Sequence, residues 1–290
     1  MKPFEYFAPG TLGEACEILA THDGSARVVA GGTDLLLKMK AGKLAPKVVV
    51  NVKRIPDLRG ISNLQSLVSI GSLTTLEQLR LSPLIREHYP ALAAAAATMA
   101  SVQIRNLATL GGNLCNAAPS ADLAPILMAL EAVARIVGPA SERRVPLDDF
   151  FTGPGTTVLG PGELLVSLEV PRPAGPSLYL KHSPRECMDI AVVGVGLALR
   201  WGDSSTVGPT KMCETVRIVL GAVAPVPMRA RRAEAELTGK LLTAERIERA
   251  AKLAAEDARP IDDVRGSAWY RRRMVEVLTR RGLSALLGET

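Results

Sequence analysis

The sequence predicts an α+β protein, and three observations support this fold class. Helical and strand patterns alternate along the first part of the chain. Two glycine-rich turns, at 30–34 and 109–113, interrupt the predicted helices and strands. A proline-rich segment near residue 173 then separates a final part with long strands and helices. Of the 290 residues, 47% are hydrophobic and 22% are charged, so the chain can bury a sizeable core.

The first part of the chain has the pattern of a small βαβ-like lobe. Thr11 begins a capping box, and apolar residues at helical spacing continue from there until Gly24 ends the helix. A strand, a second helix and a second strand are then predicted over 26–30, 35–40 and 47–52.

A second part begins where the pattern changes, at 54–57. Its helices have local start signals, since threonine caps one and proline opens another. Strands are predicted at 67–71 and 163–170, and helices after Thr75, from Pro90 and at 123–130.

The third part follows a linker made of Pro171, Pro173, Gly175 and Pro176. We therefore expect three sections, with the bounds 1–57, 58–175 and 176–290. In the last section, alternating strands are predicted at 190–201 and 214–223, and helices at 229–237, 244–258 and 267–281.

Each of the two glycine-rich turns contains a Gly-Gly pair. Such pairs let the backbone turn at positive φ and bring bare N–H groups against a ligand. Hydroxyl and amide groups of Thr33, Thr109 and Asn113 add side-chain donors. Either turn alone would be an ordinary tight turn, but the matched pair suits one elongated anionic ligand, such as a dinucleotide pyrophosphate. The helix predicted at 35–40 directs its dipole to the same place.

Two common nucleotide motifs are missing from the sequence. The first turn does not follow the Gly-x-Gly-x-x-Gly pattern of the Rossmann fold, and no Gly-x-x-x-x-Gly-Lys-Ser/Thr sequence occurs. There is also no Cys-x-x-Cys pair and no histidine cluster, so we expect no iron–sulfur or zinc site in this chain. The scattered cysteines are interpreted as reduced packing residues: Cys16, Cys115, Cys187 and Cys213.

The net charge is +6, and much of the excess lies in basic runs at 229–232, 271–273 and 280–281. Because aromatic residues make up only 3% of the chain, few platforms exist for stacking bases. We interpret the runs as a solvated or partner-facing surface, with 271–273 a candidate contact, and expect no nucleic-acid binding.

No stretch approaches the roughly 20 apolar residues of a membrane span, and residues 1–6 do not resemble a signal peptide. We expect a cytoplasmic protein.

The glycine turns belong to a longer series of motifs that extends over essentially the whole chain. Residues 29–35, 103–106, 109–114 and 118–122 resemble, in this order, the FAD-binding medium subunit of molybdenum hydroxylases. That family includes the flavoproteins of carbon monoxide dehydrogenase, xanthine dehydrogenase, quinoline oxidoreductase and 4-hydroxybenzoyl-CoA reductase. The resemblance continues through 162–165, 179–181, Arg185 and 189–191.

The resemblance implies an FAD fold of the vanillyl-alcohol-oxidase (PCMH) type. Two α+β lobes, 1–57 and 58–175, would hold FAD between them. Residues 176–290 would form a C-terminal α+β domain of the carbon monoxide dehydrogenase flavoprotein type.

It also implies roles for individual residues. The two turns would grip the pyrophosphate, and the segment 99–104 would form a wall of the cleft. Leu165 aligns with an apolar residue that contacts the flavin in relatives, although by itself it would be interpreted as a core residue. Asp122 matches an acidic FAD contact, although helix capping is an equal alternative. Lys181 matches a lysine near the flavin that stabilises the reduced ring; the alternative is an exposed lysine at a strand end. The predicted FAD-binding residues are Val29, Ala30, Gly31, Gly32, Thr33, Asp34, Leu35, Met99, Ile104, Thr109, Leu110, Gly111, Gly112, Asn113, Ala117, Ser120, Asp122, Leu165 and Lys181.

The implied function is that of the FAD-carrying electron-transfer subunit of a heterotrimeric molybdenum hydroxylase, with no catalytic or metal-binding residue of its own. Electrons would come from 2Fe–2S clusters of a small partner subunit, supplied by a molybdopterin cofactor on a large one, and leave to an external acceptor. The complex would be a dimer of heterotrimers. The cysteine-rich 4Fe–4S insertion of 4-hydroxybenzoyl-CoA reductase relatives is missing here. Two alternatives remain: a self-sufficient FAD-dependent reductase of the same fold, and a non-catalytic scaffold.

Overall fold

The computed structural model describes residues 1–186, 188–202 and 212–288. They form a mixed arrangement of helices and sheets, which confirms the α+β class. Cys187 lies outside the described residues.

The first part of the chain forms a three-stranded parallel sheet with strand order β1-β3-β2. The central strand is buried, and the first helix begins at the predicted cap, where the Thr11 hydroxyl accepts a hydrogen bond from the Glu14 N–H. The first strand was not predicted, because three residues carry too little pattern. The elements are β1 (Glu5–Phe7), α1 (Leu12–Thr21), β2 (Ala26–Val29), α2 (Leu35–Lys40), β3 (Val48–Asn51) and two short 3₁₀ helices (Val52–Arg54 and Pro56–Leu58).

The second part is a five-stranded antiparallel sheet covered by short helices, with the order β4-β5-β10-β6-β7. The large core of the protein lies between this sheet and the helices. The elements are β4 (Ile61–Leu64), β5 (Leu67–Gly71), α3 (Leu76–Leu81), α4 (Pro83–His88), α5 (Pro90–Ala97), α6 (Val102–Arg105), α7 (Leu110–Asn116), α8 (Leu123–Ala129), β6 (Val133–Val137), β7 (Glu142–Pro146), a 3₁₀ helix (Leu147–Asp149), β8 (Phe151–Gly153), β9 (Thr156–Thr157) and β10 (Leu164–Pro171).

The second glycine segment is the beginning of helix α7, so the predicted turn at positive φ is wrong there. The Thr109 hydroxyl caps this helix by accepting from the Gly112 N–H at 3.0 Å. Of the four glycines in the two pairs, Gly32 alone has a positive φ, of 77°. Gly111 is required for a different reason, since a Cβ atom there would lie 2.6 Å from the Cβ of Ser72.

The last part is an antiparallel sheet in the order β11-β12-β13-β14, with β15 also pairing β13. Helices α9, α10 and α11 pack together and against this sheet. The elements are β11 (Ser177–His182), β12 (Val193–Trp201), β13 (Met212–Gly221), β14 (Met228–Arg229), α9 (Arg231–Leu237), β15 (Lys240–Leu241), α10 (Ala244–Asp257) and α11 (Ala268–Leu287).

The predicted alternation of β12 is wrong over its first half, where residues 193–197 are all buried. The reason is that helices cover both faces of the sheet. A Cβ atom at Gly196 would meet Pro125 of α8, whereas the next side chain, Leu197, contacts Gly282 of α11. The strand therefore lies between the second part of the chain and the C-terminal helices. None of the helices within the described ranges is both long and apolar enough to cross a membrane.

Candidate functional site

A cavity of about 690 Å³ lies where the three parts of the chain meet. Its size falls within the range of small-molecule and cofactor sites. The structure brings both glycine segments to its wall, as the sequence predicted for two halves of one site. The predicted site residues that line the cavity are Ala30, Gly31, Gly32, Thr33, Asp34, Leu35, Met99, Ile104, Thr109, Gly111, Gly112, Asn113, Ser120, Asp122 and Leu165.

Four other predicted residues stand behind this wall in the described structure. Val29 ends strand β2 and is buried, and Leu110 is buried in the first turn of α7. Ala117 follows α7 in the left-handed conformation. Lys181 lies behind Asp122, to which it is paired. That these four residues contact a bound cofactor remains a prediction.

The first glycine segment presents a row of backbone donors. Strand β2 leads into it, and helix α2 begins directly after it. Within the described residues, the N–H groups of residues 31–35 donate to no acceptor of the protein. A Cβ atom at Gly31 would overlap the carbonyl oxygen of Leu107, so this segment packs backbone against backbone on the chain leading to α7. Consecutive free N–H groups of this kind make an anion-binding concavity.

The second segment contributes an unsatisfied side-chain atom. Asn113 lies in the first turns of α7, and its Oδ1 atom is buried without a hydrogen-bond partner among the described residues. A buried amide oxygen without a donor is uncommon in folded proteins and indicates a missing partner. A ligand hydroxyl would satisfy it. The two segments therefore offer N–H donors for phosphate oxygens and an amide for a hydroxyl.

A polar bridge joins the two segments and was not predicted. The Lys38 ammonium donates to Oδ1 of Asn116 at 2.7 Å, and the Asn116 amide donates to the Asp34 carboxylate at 3.3 Å. All three residues line the cavity. The spacing of Asp34 and Lys38, one helical turn apart, was the available sequence signal. The contact with Asn116 joins residues 78 positions apart in the sequence and arises from the tertiary structure.

Arg105, which was not among the predicted site residues, stabilises the part of the wall at residues 99–104. Its guanidinium donates to the carbonyl oxygens of Met99 at 2.9 Å and Ala100 at 3.2 Å. It also donates to the Glu77 carboxylate at 2.9 Å. Hydrogen bonds from Arg80 and then Arg105 lower the pKa of Glu77 to about 2, so the carboxylate is charged at all ordinary pH values.

Asp122, which lines the cavity, forms a buried ion pair with Lys181. The Asp122 carboxylate accepts from the Tyr179 hydroxyl at 2.7 Å and from the Lys181 ammonium at 3.0 Å. In the described structure it accepts no capping bond from α8, so the capping alternative is wrong. The Lys181 side chain is only 7% exposed, so the alternative of an exposed strand-end lysine is also wrong. Burial raises the pKa of Asp122, and this is opposed by Lys181 and Tyr179.

Comparison with known proteins extends these observations to the whole chain. Residues 2–173 match the family described as "FAD binding domain in molybdopterin dehydrogenase". Residues 178–286 match the "CO dehydrogenase flavoprotein C-terminal domain".

Individual relatives match along nearly their full length. The carbon monoxide dehydrogenase medium chain of Hydrogenophaga pseudoflava is 34% identical over 97% of this chain and 96% of its own. The xanthine dehydrogenase FAD-binding subunit of Escherichia coli O157:H7 is 32% identical over 96% of this chain and 94% of its own.

Solved structures agree with this assignment. A chain of carbon monoxide dehydrogenase from Hydrogenophaga pseudoflava superimposes with a TM-score of 0.93 at 36% identity, covering 100% of this chain and 99% of its own. A chain of quinoline 2-oxidoreductase from Pseudomonas putida 86 superimposes with a TM-score of 0.90 at 32% identity, covering 100% of this chain and 99% of its own.

Fold and cavity define a flavoprotein with a PCMH-type FAD-binding domain and a carbon monoxide dehydrogenase-type C-terminal domain. This chain belongs to the FAD-binding subunits of the molybdenum hydroxylase family, and it is an oxidoreductase subunit.

The residues of the cavity fit FAD. The free N–H groups at 31–35 can bind pyrophosphate oxygens, and the unpartnered Asn113 amide can bind a hydroxyl of the ribityl or ribose parts. Apolar side chains of Met99, Ile104 and Leu165 supply the nonpolar walls that an isoalloxazine requires. The assignment of each residue to a part of the cofactor remains a prediction.

Arg105→Met should weaken FAD binding about tenfold, because two carbonyl groups of the cavity wall lose their shared donor. Arg80→Met is the matched control: it removes the other partner of Glu77 but no contact with residues 99–100. Fluorescence titration of FAD measures both variants. Equal affinity of the two would contradict the role of Arg105.

The ion pair between Glu77 and Arg105 should also depend on pH. Because the pKa of Glu77 is lowered from 4.5 to about 2, the support that the carboxylate gives Arg105 should be complete above pH 4.5 and be lost only as the pH approaches 2.

Proposed function

We propose that this chain carries electrons through FAD in a heterotrimeric molybdenum hydroxylase. In this proposal a small partner subunit delivers electrons from 2Fe–2S clusters, and a large partner oxidises the organic substrate at a molybdopterin cofactor. Residues 1–57 and 58–175 serve as the two FAD lobes and 176–290 as the C-terminal domain. A dimer of heterotrimers and a cytoplasmic location remain predictions of the same kind.

When bound, FAD supplies two-electron redox chemistry and can exchange electrons with one- and two-electron partners. The chain itself binds and orients the cofactor. Residues 31–35 line the cavity and, within the described ranges, their N–H groups have no protein acceptor, while the bridge between Lys38 and Asn116 joins the two glycine segments. The buried ion pair of Asp122 and Lys181 places opposite charges side by side at the cavity wall.

The observation that favours electron transfer over an independent reductase is the state of the ionisable groups around the cavity. A reductase acting on its own substrate would need a proton donor aimed at that substrate. Within the described residues, each carboxylate of the wall already has a protein partner, and burial raises the pKa of the Cys115 thiol to about 12. The carboxylate pairs are Asp34 with Asn116, Asp122 with Lys181, Glu163 with Arg143, and Asp189 with Arg185.

The scaffold alternative is opposed by the two close backbone approaches. Gly31 and Gly111 both line the cavity and admit no side chain, since a Cβ atom at Gly31 would overlap the Leu107 carbonyl oxygen and one at Gly111 would lie 2.6 Å from the Cβ of Ser72. A protein without a cofactor would have no need for the row of unpaired N–H groups that this packing exposes.

The test is to purify the full chain alone and, tagged in its native host, with its partners. The tagged preparation should contain iron and molybdenum as well as FAD, and the isolated chain FAD alone. Dithionite should reduce the flavin of both. Xanthine, glyceraldehyde, nicotinate and carbon monoxide should leave the isolated flavin oxidised. Direct reduction by one of these compounds would overturn the electron-transfer proposal, and a colourless, FAD-free chain would favour the scaffold.

A further inference from the structure

We infer that Tyr179 is a positioning residue of the cofactor site, which fixes the Asp122 carboxylate at the cavity wall from the C-terminal part of the chain. Tyr179 does not itself line the cavity in the described structure. The inference rests on the proposed function, because it concerns how the same cavity binds FAD.

The geometry begins with the alternation of a strand. Tyr179 and Lys181 are two positions apart in β11, so their side chains leave the same face of the sheet. Each occupies a different oxygen of one carboxylate: the Tyr179 hydroxyl donates to Oδ1 and the Lys181 ammonium to Oδ2 of Asp122. The carboxylate is thus held at both ends by one strand, from which it is separated by more than fifty residues of sequence.

Glycines in the neighbouring strand make this contact possible. In β12, Gly196 pairs with Tyr179 and Gly194 pairs with Lys181. A Cβ atom at Gly196 would lie 2.5 Å from the Pro125 carbonyl oxygen, and one at Gly194 would lie 2.8 Å from the Tyr179 hydroxyl. Helix α8 can therefore lie directly on the sheet. Asp122, immediately before this helix, is brought within reach of the tyrosine.

Because the site is buried, the Tyr179 hydroxyl affects the charge and orientation of the Asp122 carboxylate. The side chains of Asp122 and Lys181 are 9% and 7% exposed, so water cannot replace a lost partner easily. Without the tyrosine hydroxyl, Oδ1 would be a buried acceptor without a donor. The carboxylate would then rotate or take up a proton, and either change alters what Asp122 presents to the cavity. Burial also raises the pKa of Tyr179 well above its usual value, so the hydroxyl remains a donor.

Lys181 extends the same network to two other parts of the wall. Its ammonium also donates to the carbonyl oxygen of Asp189 at 2.8 Å and lies 3.5 Å from that of Thr98. Asp189 lines the cavity, and Thr98 directly precedes the wall residue Met99. Because Tyr179 touches only Asp122 in this network, it can be removed without breaking these other contacts.

The test compares Tyr179→Phe with Tyr89→Phe. Tyr89 is an equally buried tyrosine whose hydroxyl donates to the Val170 carbonyl oxygen at 3.0 Å, away from the cavity. We expect Tyr179→Phe to raise the Kd for FAD about tenfold and Tyr89→Phe to leave it unchanged, although both lower the melting temperature. The Tyr179→Phe effect should disappear in the D122N background, because the charge that the hydroxyl positions is then gone.

Two results would overturn the inference: equal FAD affinity of the two tyrosine variants, or an undiminished Tyr179→Phe effect in the D122N background. Gly194→Ala provides a second test should Tyr179→Phe not fold, since its Cβ atom would lie 2.8 Å from the Tyr179 hydroxyl and would displace it. It should weaken FAD binding to a similar extent, and unchanged affinity would count against the inference. If the unmodified chain and Tyr89→Phe bind no FAD, the proposed function itself fails.

Discussion

Gly31→Ala is expected to yield a folded protein that purifies without FAD, with affinity for the cofactor lowered more than a hundredfold. The added methyl group would overlap the backbone carbonyl of Leu107, which cannot move as a flexible side chain could. The two glycine segments must then separate, and the N–H groups at 31–35 lose their position relative to α7. Flavin absorbance per protein and titration of the stripped protein with FAD measure the effect.

The matched control is Gly13→Ala. Gly13 lies in helix α1, and a Cβ atom there would meet nothing within 4 Å. This variant should keep its full flavin content and gain about 0.5–1 kcal/mol of unfolding free energy, since alanine favours the helix. Full flavin content in Gly31→Ala would show that the two segments do not grip the cofactor together.

Arg271→Met should reduce the free energy of unfolding by about 3 kcal/mol. Arg271 is 4% exposed, and its guanidinium donates to the carbonyl oxygens of Val192 at 3.0 Å and Ala222 at 2.9 Å. It also donates to the Asp263 carboxylate at 2.6 Å. Methionine fills similar space but removes this donor from the carbonyl oxygens of Val192 and Ala222, whereas Asp263 keeps the Arg265 N–H. Denaturant unfolding of the purified chain measures the loss.

Arg273→Met is the control, because Arg273 is 56% exposed and, in the described part of the chain, pairs only with nearby Glu276. We expect a change of less than about 0.5 kcal/mol there. Equal stability of the two variants would contradict the structural role of Arg271. This contrast also corrects the interpretation of 271–273 as one basic surface: consecutive residues of a helix point in different directions, and Arg271 faces inward.

Much of the fold could be predicted from local signals. Thr11, Thr75 and Pro90 begin helices where their capping and φ preferences require, and the strands at 67–71 and 164–171 follow apolar patterns. Short elements such as β1 and β4 escaped prediction. Strand β1 forms by pairing with the distant β3, and β4 forms a tight hairpin with β5; neither has a clear pattern in its own few residues.

The sequence by itself determined the class of protein and its cofactor. The glycine motifs indicated an elongated anionic ligand, the family resemblance of the longer motif series implied FAD, and the FAD-binding family matched by residues 2–173 confirms this. Most of the residues that the resemblance implied for the site do line the cavity, although many other residues of the wall were not predicted.

Only the tertiary structure decided which groups face one another. Lys38 meets Asn116, and Tyr179 meets Asp122, across 78 and 57 positions of sequence. Glycines at 31, 111 and 196 are explained by backbone atoms of other segments rather than by their own conformation. Local preferences act over a few residues, whereas burial, close approach and charge pairing depend on where the whole chain places each side chain. The physical reason is that these interactions fall off within a few ångströms in space, whatever the distance along the chain.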